Sequence, residues 1–398
     1  MKPSRILQTV ALSVIAFVGL QPNLYGQTDF DSGSNGSFGP LIVDSPRTIA
    51  LPPDGILHCT TVNIALDSDL SFTRNASNTP VYILATGDVT INGFIFVEGG
   101  RKVGKRGGDG GPGGFDGGQG GPNAGNGFGP GGGKGGWGNF TDPPPGQPLR
   151  GGGGYGTVGT PATTGGPVYG NSLLIPLVGG SGGGGSNETN VQFQLGGGGG
   201  GGALLIASNT RITFGQLDSS RYISAVGGRA DDGNGGGSGG AIRLVAPVIT
   251  GTATFRIAGV EGGGFGRIRV DALTNSLTLF DRGDGSPNYA TFGKNMVVFP
   301  PNLPEVRITQ AAGASIALTQ RDPVFILLPA GSPATQTVQV QAKNFNSVVP
   351  LVAVVTPEAG ERQTFNFDID NTAGGATTGS VQVQIPAGVS TRIDVWTR

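Results

Sequence analysis

The sequence predicts an all-β protein: a right-handed parallel β-helix that carries a glycine-rich insertion, followed by a C-terminal immunoglobulin-like β-sandwich. Three observations lead to this fold class. Units of three short apolar runs recur along the chain, glycines repeat with a period of three, and apolar residues alternate toward the end of the chain. Glycine accounts for 78 of the 398 residues and charged residues for only 13%, which argues against a highly charged disordered chain.

The parallel β-helix is predicted over residues 27–300 from an internal repeat. Residues 81–100, 203–228 and 241–263 each contain three short β-type runs and end at or near paired glycines. A unit of this size cannot bury its apolar face alone, so stacked units would build one continuous core. A hairpin at the Asn-Gly pair of the first unit is the alternative, but the three-run unit recurs with other turn residues in that place.

The glycine-rich insertion covers residues 99–202 and separates the first unit from the second. Consecutive Gly-Gly-X triplets run through residues 107–115 and return at 132–137. A period of three matches polyproline-II geometry, and two bare faces would allow polyglycine-II-like packing, in which extended segments lie side by side and exchange N–H···O bonds. The alternative is a flexible linker, which requires neither this frame nor proline at the X position.

The third region, residues 301–398, has a different composition. The glycine blocks stop, and apolar runs such as 338–341, 351–355 and 381–385 are separated by turn residues. This spacing predicts a small sandwich of two β-sheets with immunoglobulin-like architecture. Cys59 is the only cysteine, so the region lacks the cysteine pair of antibody domains and no intrachain disulfide can form.

The first 26 residues have the pattern of a signal peptide. Lys2 and Arg5 precede a largely apolar stretch over residues 6–20, which is shorter than the ~20 residues of a membrane-spanning helix. We therefore expect a protein that is secreted or displayed at the cell surface, with no integral membrane segment after signal removal. The formal net charge of −1 gives no general attraction to nucleic acid.

Two aromatic residues at X positions are the first candidate ligand-binding residues. Phe115 and Trp137 would share the outer face of a glycine bundle. One interpretation is a stacking platform for a sugar ring. The other is that both side chains anchor the insertion onto the flank of the β-helix.

A basic run leaves the first repeat unit and is the second candidate for ligand binding. Arg101, Lys102, Lys105 and Arg106 could hold an anionic polysaccharide through charge-assisted hydrogen bonds. The alternative is a solvated turn at the place where the chain leaves the core.

One pair of adjacent carboxylates is a candidate metal site. Asp231 and Asp232 lie in a glycine-rich loop close in pattern to a calcium-binding nonamer. The motif occurs once rather than as an array, so a solvated turn is the alternative. Calcium is the one cofactor that the sequence suggests.

Several segments resemble exported, glycine-rich bacterial β-helix proteins of uncharacterised function. The similar segments are 78–93, 112–115, 239–247 and 385–390. The resemblance implies a shared architecture over most of the mature chain, and it brings no activity, substrate or catalytic residue with it. The Gly-Gly-X blocks are also similar to those in the tips of phage adhesins, where polyglycine-II helices display recognition loops.

The predicted function follows from weighing an enzyme against a binding protein. A polysaccharide lyase or hydrolase on a β-helix scaffold is the alternative, and it would need clustered carboxylates. The acidic residues are sparse and the only histidine, His58, lies in a strand-like run, so no catalytic residue is predicted. We expect a structural or adhesive protein that acts by multivalent surface contact, with polysaccharide or a cell-surface component as its partner.

Overall fold

The computed structural model describes residues 30–397 except 139–142, 144, 189–191, 193, 217–221, 232, 282, 321–323 and 358–362. The predicted signal peptide and Asp232 lie outside the described residues. The described part of the chain is all-β, with long parallel sheets and without an α-helix. It therefore also includes no helix long and apolar enough to cross a membrane.

The parallel part of the fold uses short strands joined by turns. Their bounds are β1 (Gly39–Val43), β2 (Arg47–Ala50), β3 (Ile56–Ile64), β4 (Asp69–Thr73), β5 (Val81–Ala85), β6 (Val89–Ile91), β7 (Phe94–Phe96), β8 (Ala203–Ser208), β9 (Arg211–Gln216), β10 (Ile223–Ser224), β11 (Ala241–Ala253), β12 (Phe255–Arg256), β13 (Arg267–Leu279) and β14 (Ala290–Gly293). A short 3-10 helix, Ser286–Tyr289, precedes β14.

These strands form two parallel sheets, which we call sheets A and B. Sheet A has the order β14-β13-β11-β8-β5-β3-β6-β9, with β1 on β3 and a further pairing between β9 and β11. Sheet B has the order β12-β10-β7-β4-β2. Ile83, Ile206 and Leu244 occupy one register position on β5, β8 and β11. The segments that the sequence aligns as repeats are therefore direct neighbours in the sheet.

A hydrophobic core lies between sheets A and B. Leu57 and Ile83 of sheet A and Ile95 of sheet B belong to it and are at most 1% exposed. Truncating such a side chain to alanine would cost about 2–5 kcal/mol. Cys59 lies in the same core, and burial raises the pKa of its thiol to about 12.

A second hydrophobic cluster covers the outer face of sheet A. Leu205 of β8 packs there with Tyr155 and Leu177 of the insertion and with Val298, which follows β14. As a result β8 is buried along its whole length. Burial on both faces explains why its sequence is apolar at consecutive rather than alternate positions.

The glycine-rich insertion is held by hydrogen bonds between backbone groups. The run of seven glycines at 196–202 is buried and lies between three other segments. Three successive N–H groups of the run donate to carbonyl oxygens of three different segments, which are residues 97–104, 115–118 and 235–238. This order then repeats along the run. Each neighbour is thus contacted at every third residue, the spacing that a three-residue helical turn requires.

The C-terminal region forms two antiparallel sheets, which we call sheets C and D. The strands are β15 (Glu305–Ala311), β16 (Ala314–Ser315), β17 (Thr335–Lys343), β18 (Val348–Pro357), β19 (Gln363–Asp370), β20 (Thr377–Gln384) and β21 (Thr391–Thr397). Sheet C has the order β16-β15-β17-β20, and sheet D has the order β19-β18-β21. Val340 of sheet C packs in one cluster with Leu351 and Val355 of sheet D, so the two sheets share a core.

Candidate functional site

The outer face of sheet B carries a cluster of aromatic side chains. Phe94 and Phe96 flank Ile95 on β7, and side chains alternate across a strand. Ile95 therefore enters the core, while both phenylalanines lie half-buried on the outside. Tyr222 immediately precedes Ile223 of β10, which pairs with Ile95, so the tyrosine ring lies beside the two phenylalanine rings.

The three rings fix one another's orientation. The rings of Phe94 and Phe96 are stacked, with centroids 5.9 Å apart and planes at 8°. Tyr222 meets both edge-on, at 5.3 Å and 5.8 Å between centroids. These separations lie in the ~4.5–7 Å range that favours aromatic pairs. The cluster is thus a preorganised, partly open apolar surface.

Polar groups flank the rings on both sides. The guanidinium carbon of Arg256 on β12 lies 5.0 Å from the ring centre of Tyr222, within the ~6 Å range of cation–π attraction. Its Nε is 3.6 Å from the Oδ2 of Asp284, so the guanidinium is held in place from two sides. On the other side of the rings, the hydroxyls of Thr48 on β2 and Ser71 on β4 are hydrogen-bonded to each other at 2.8 Å.

These outward side chains lie on or next to neighbouring strands of sheet B, and we call them the aromatic face: Thr48, Ser71, Phe94, Phe96, Tyr222 and Arg256. The outward residue of β10 itself, Ser224, lies between Phe96 and Arg256 in the register and is buried. At ~4.8 Å between neighbouring strands, the five strands of sheet B span ~19 Å, enough for a short oligosaccharide. Flat rings can stack on the apolar face of a sugar, and hydroxyl and guanidinium groups can bond its oxygens. The arrangement therefore suits binding of an extended polar chain.

The predicted metal residue Asp231 lies against the basic run. Its Oδ2 is 2.6 Å from the Nε of Arg101 and 3.4 Å from the Nζ of Lys102. Burial would raise the pKa of the Asp231 carboxyl, but Arg101 and Lys102 outweigh it and lower the pKa. Two side-chain cations thus already compensate the negative charge of this carboxylate. Its predicted partner Asp232 lies outside the described residues, which contain no group of three or more His, Cys, Asp and Glu side chains arranged to hold a metal.

The rest of the basic run also has partners. Lys105 donates from Nζ to the Oε1 of Gln194 at 2.7 Å, and Arg106 forms an ion pair with Asp109. Together with the pairing of Arg101 and Lys102, this places a carboxylate beside three of the four basic residues. Each carboxylate weakens the attraction of the run for an anionic ligand.

The structure places Phe115 against the C-terminal region. Its ring centroid is 6.1 Å from that of Trp396 on β21. On the same strand, the guanidinium carbon of Arg392 lies 4.1 Å from the ring centre of Phe128, and its Nη1 is 3.5 Å from the Oδ2 of Asp116. Phe115 therefore contacts sheet D, a partner that neither sequence interpretation names.

Trp137 lies in a different part of the insertion. Its backbone N–H donates to the carbonyl oxygen of Pro148, and its own carbonyl oxygen accepts from the N–H of Arg150, both at 2.8 Å. The indole Nε1 is buried and has no hydrogen-bond partner within the described ranges. No ring contact among the described residues joins Trp137 to Phe115, so the structure does not bring the two into one platform.

Sequence reasoning treated Phe94, Phe96 and Tyr222 only as strand residues. The signal that could have found them is the order Phe-Ile-Phe, in which two aromatic residues flank one core position. Their meeting with Tyr222 depends on the pairing of β7 with β10 across the insertion, which the repeat alignment implies. The position of Arg256 follows from the next pairing, between β10 and β12.

Comparisons of this chain with protein-family models, with curated proteins and with solved structures gave no match.

Proposed function

We propose that the protein is a secreted or cell-surface adhesive protein that holds polysaccharide on its aromatic face. The observation that carries this proposal is the fixed cluster of Phe94, Phe96 and Tyr222 with Arg256 at its end. Phe94, Phe96 and Arg256 lie on strands and Tyr222 immediately precedes one, and rigid elements hold binding groups more precisely than loops do. Several sugar units can therefore be contacted at once by side chains that need little ordering on binding.

We also infer the finer architecture on which this surface is displayed: a right-handed parallel β-helix, a polyglycine-II-like bundle and an immunoglobulin-like sandwich. The support for the first is the stacking of equivalent residues in sheets A and B. The support for the second is the three-way rotation of hydrogen bonds from residues 196–202, and for the third the core shared by sheets C and D. Such a scaffold is stiff and suits multivalent contact.

Replacing Phe94 and Phe96 together by alanine tests the proposed function. We expect the dissociation constant for a retained polysaccharide to rise about tenfold, because two stacking surfaces are lost. Retention is measured by electrophoresis through gels that contain neutral or acidic polysaccharides, chosen with a glycan array. Phe292→Ala is the matched control, since it removes an exposed ring from sheet A and should leave retention unchanged.

Two results would contradict the proposal. Equal retention of the double variant and the parent protein would show that sugar is not bound at the aromatic face. Release of shortened or unsaturated products from the same polysaccharides would instead favour a lyase or hydrolase. Circular dichroism of each variant checks that the strands still form.

A further inference from the structure

A narrow cleft opens on the outer face of sheet A, away from the aromatic face. Its floor is formed by Tyr82, Leu205 and Arg243, which share one register position on β5, β8 and β11. Its walls are apolar and come from residues 174–177 of the insertion and from 298–303 after β14. The space is about 260 Å³ when the open solvent at its mouth is included, and only a small part of it is enclosed. Only a small molecule would fit.

Two guanidinium groups, one of them that of Arg243 in this floor, share one carboxylate. Arg269 donates to Asp271 from Nε at 3.0 Å and from Nη2 at 2.6 Å. Arg243 donates to the same carboxylate from Nη2 at 3.4 Å. The side chains of Arg243 and Asp271 are only 1% and 0% exposed. Two cations against one anion leave a surplus positive charge, and burial makes such a charge costly unless an anion compensates it.

The guanidinium of Arg243 also has unused hydrogen-bond donors. Its Nη2 donates to the carbonyl oxygens of Val297 at 2.8 Å and Asn295 at 3.3 Å. Its Nε is buried without a partner, and its Nη1 makes no hydrogen bond to any described residue. A guanidinium carries five N–H donors, so the two donors of Nη1 are left for the cleft, whereas the buried Nε–H has no access to it.

We propose that the cleft binds a small apolar carboxylic acid. The carboxylate takes the Nη1 donors of Arg243 and compensates its charge, and the hydrocarbon part lies between Leu205 and Phe299. The ring of Tyr82 is 5.2 Å from that of Phe299, so the two rings enclose the same end of the cleft. The Tyr82 hydroxyl, protonated at neutral pH like that of any tyrosine with a pKa of ~10, is a further donor to the carboxylate, and burial raises its pKa to about 12.

The test follows the side-chain signal of Arg243 in protein labelled with ¹⁵N-arginine. Butyrate is titrated in, and butan-1-ol and butylamine serve as neutral and cationic probes of the same shape. We expect butyrate to shift the Nε–H signal of Arg243 saturably, with a dissociation constant on the order of 1 mM. Butylamine should bind at least about tenfold more weakly, because its charge is repelled by the guanidinium.

Two arginine variants separate this site from general attraction of anions. Arg243→Gln removes the guanidinium proposed to bind the carboxylate but leaves Asp271 with its bonds to Arg269. It should weaken butyrate binding about tenfold or more. Arg267→Gln is the matched control: Arg267 lies on the same face over the Tyr155 ring, and its loss should leave binding unchanged. Binding is read for these variants from the ligand signals in saturation-transfer spectra.

Three results would overturn the proposal. Butan-1-ol binding as tightly as butyrate would show that the cleft selects only for apolar surface. An equal loss of binding in both arginine variants would point to unspecific charge attraction. Absence of saturation in the parent protein would show that solvent alone fills the donors of Arg243. The Tyr82→Phe variant, which keeps the apolar shape, should weaken butyrate binding by a smaller factor than Arg243→Gln.

Discussion

At the residue scale, Asp116 joins three separate parts of the chain. Its Oδ1 accepts from the Nη1 of Arg74 at 2.7 Å and from the N–H of Gly110 at 2.8 Å, and its Oδ2 is 3.5 Å from the Nη1 of Arg392. Burial alone would raise the pKa of this carboxyl. The positive charge of Arg74, the Gly110 N–H and Arg392 outweigh the burial, so the pKa is lowered.

This lowered pKa predicts a defined loss of stability in acid. A carboxyl whose pKa is lower in the folded than in the unfolded chain (~3.9) stabilises the fold fully above the unfolded value. That contribution is lost as the pH falls through the folded pKa. Asp116→Asn should therefore reduce the free energy of unfolding by about 0.5–1 kcal/mol more at pH 6 than at pH 3, since the pair is partly exposed.

Urea denaturation at a series of pH values measures this difference. Asp44→Asn, at an exposed position in the turn after β1, controls for the change in net charge. If Asp116→Asn lost the same stability at pH 3 as at pH 6, the carboxylate would not be the group that the three contacts stabilise.

At the element scale, the run of seven glycines has no room for a side chain. A Cβ added at Gly197 would overlap the carbonyl oxygen of Gly183, and one at Gly198 would overlap that of Gly228. Both neighbours are backbone groups already held in the hydrogen-bonded network. They cannot move aside as the end of a flexible side chain could, so close backbone approach depends on glycine at these positions.

Gly198→Ala should therefore destabilise the protein, although the substitution adds only one methyl group. We expect a loss of about 1–3 kcal/mol in the free energy of unfolding, the usual cost of overpacking a close-packed interior. Urea denaturation followed by tryptophan fluorescence measures the change. Gly375→Ala is the control, because a Cβ there meets no atom within 4 Å. An unchanged midpoint for Gly198→Ala would mean that the run is not closely enclosed.

The glycine segments also show how far the sequence can be interpreted. The triplets at 107–115 predict extended segments with a three-residue period, because that pattern is local. The run at 196–202 consists of glycine alone and shows no three-residue repeat. The sequence therefore does not indicate that other backbone segments enclose it. In the structure its three bare faces meet three different neighbours. The strands of sheets A and B were predictable for the same reason as the triplets, since alternating or short continuous apolar runs are local signals.

Contacts between distant segments were not predictable in this way. Phe115 meets Trp396 and Arg243 meets Asp271 only because whole sheets and segments pack together. An isolated Arg in a strand-like run has no sequence feature that predicts its burial. The aromatic face lies between these cases: its residues follow from alternation, whereas their meeting follows from strand register.

At the scale of the whole molecule, sheet D is covered on both sides. Leu351 and Val355 of β18 face the core shared with sheet C. Val352 and Val354 lie on the opposite side of the same strand and are also buried, at 8% and 2% exposure. Val352 pairs with Trp396, whose ring contacts Phe115. The insertion therefore packs on the outer side of sheet D and connects the C-terminal sheets to the rest of the molecule.

This contact predicts that the two parts of the molecule unfold together and that Phe115→Ala uncouples them. Losing a partly buried ring should cost about 2 kcal/mol at the contact, so we expect one calorimetric transition to separate into two. The fluorescence of Trp396, measured in a Trp137→Phe background, should follow the transition of the C-terminal sheets. Phe325→Ala, at a 96% exposed position, should leave a single transition. Polysaccharide retention by Phe115→Ala should not change, because this variant leaves the aromatic face intact. A loss of retention with a single preserved transition would instead favour a sugar platform at Phe115.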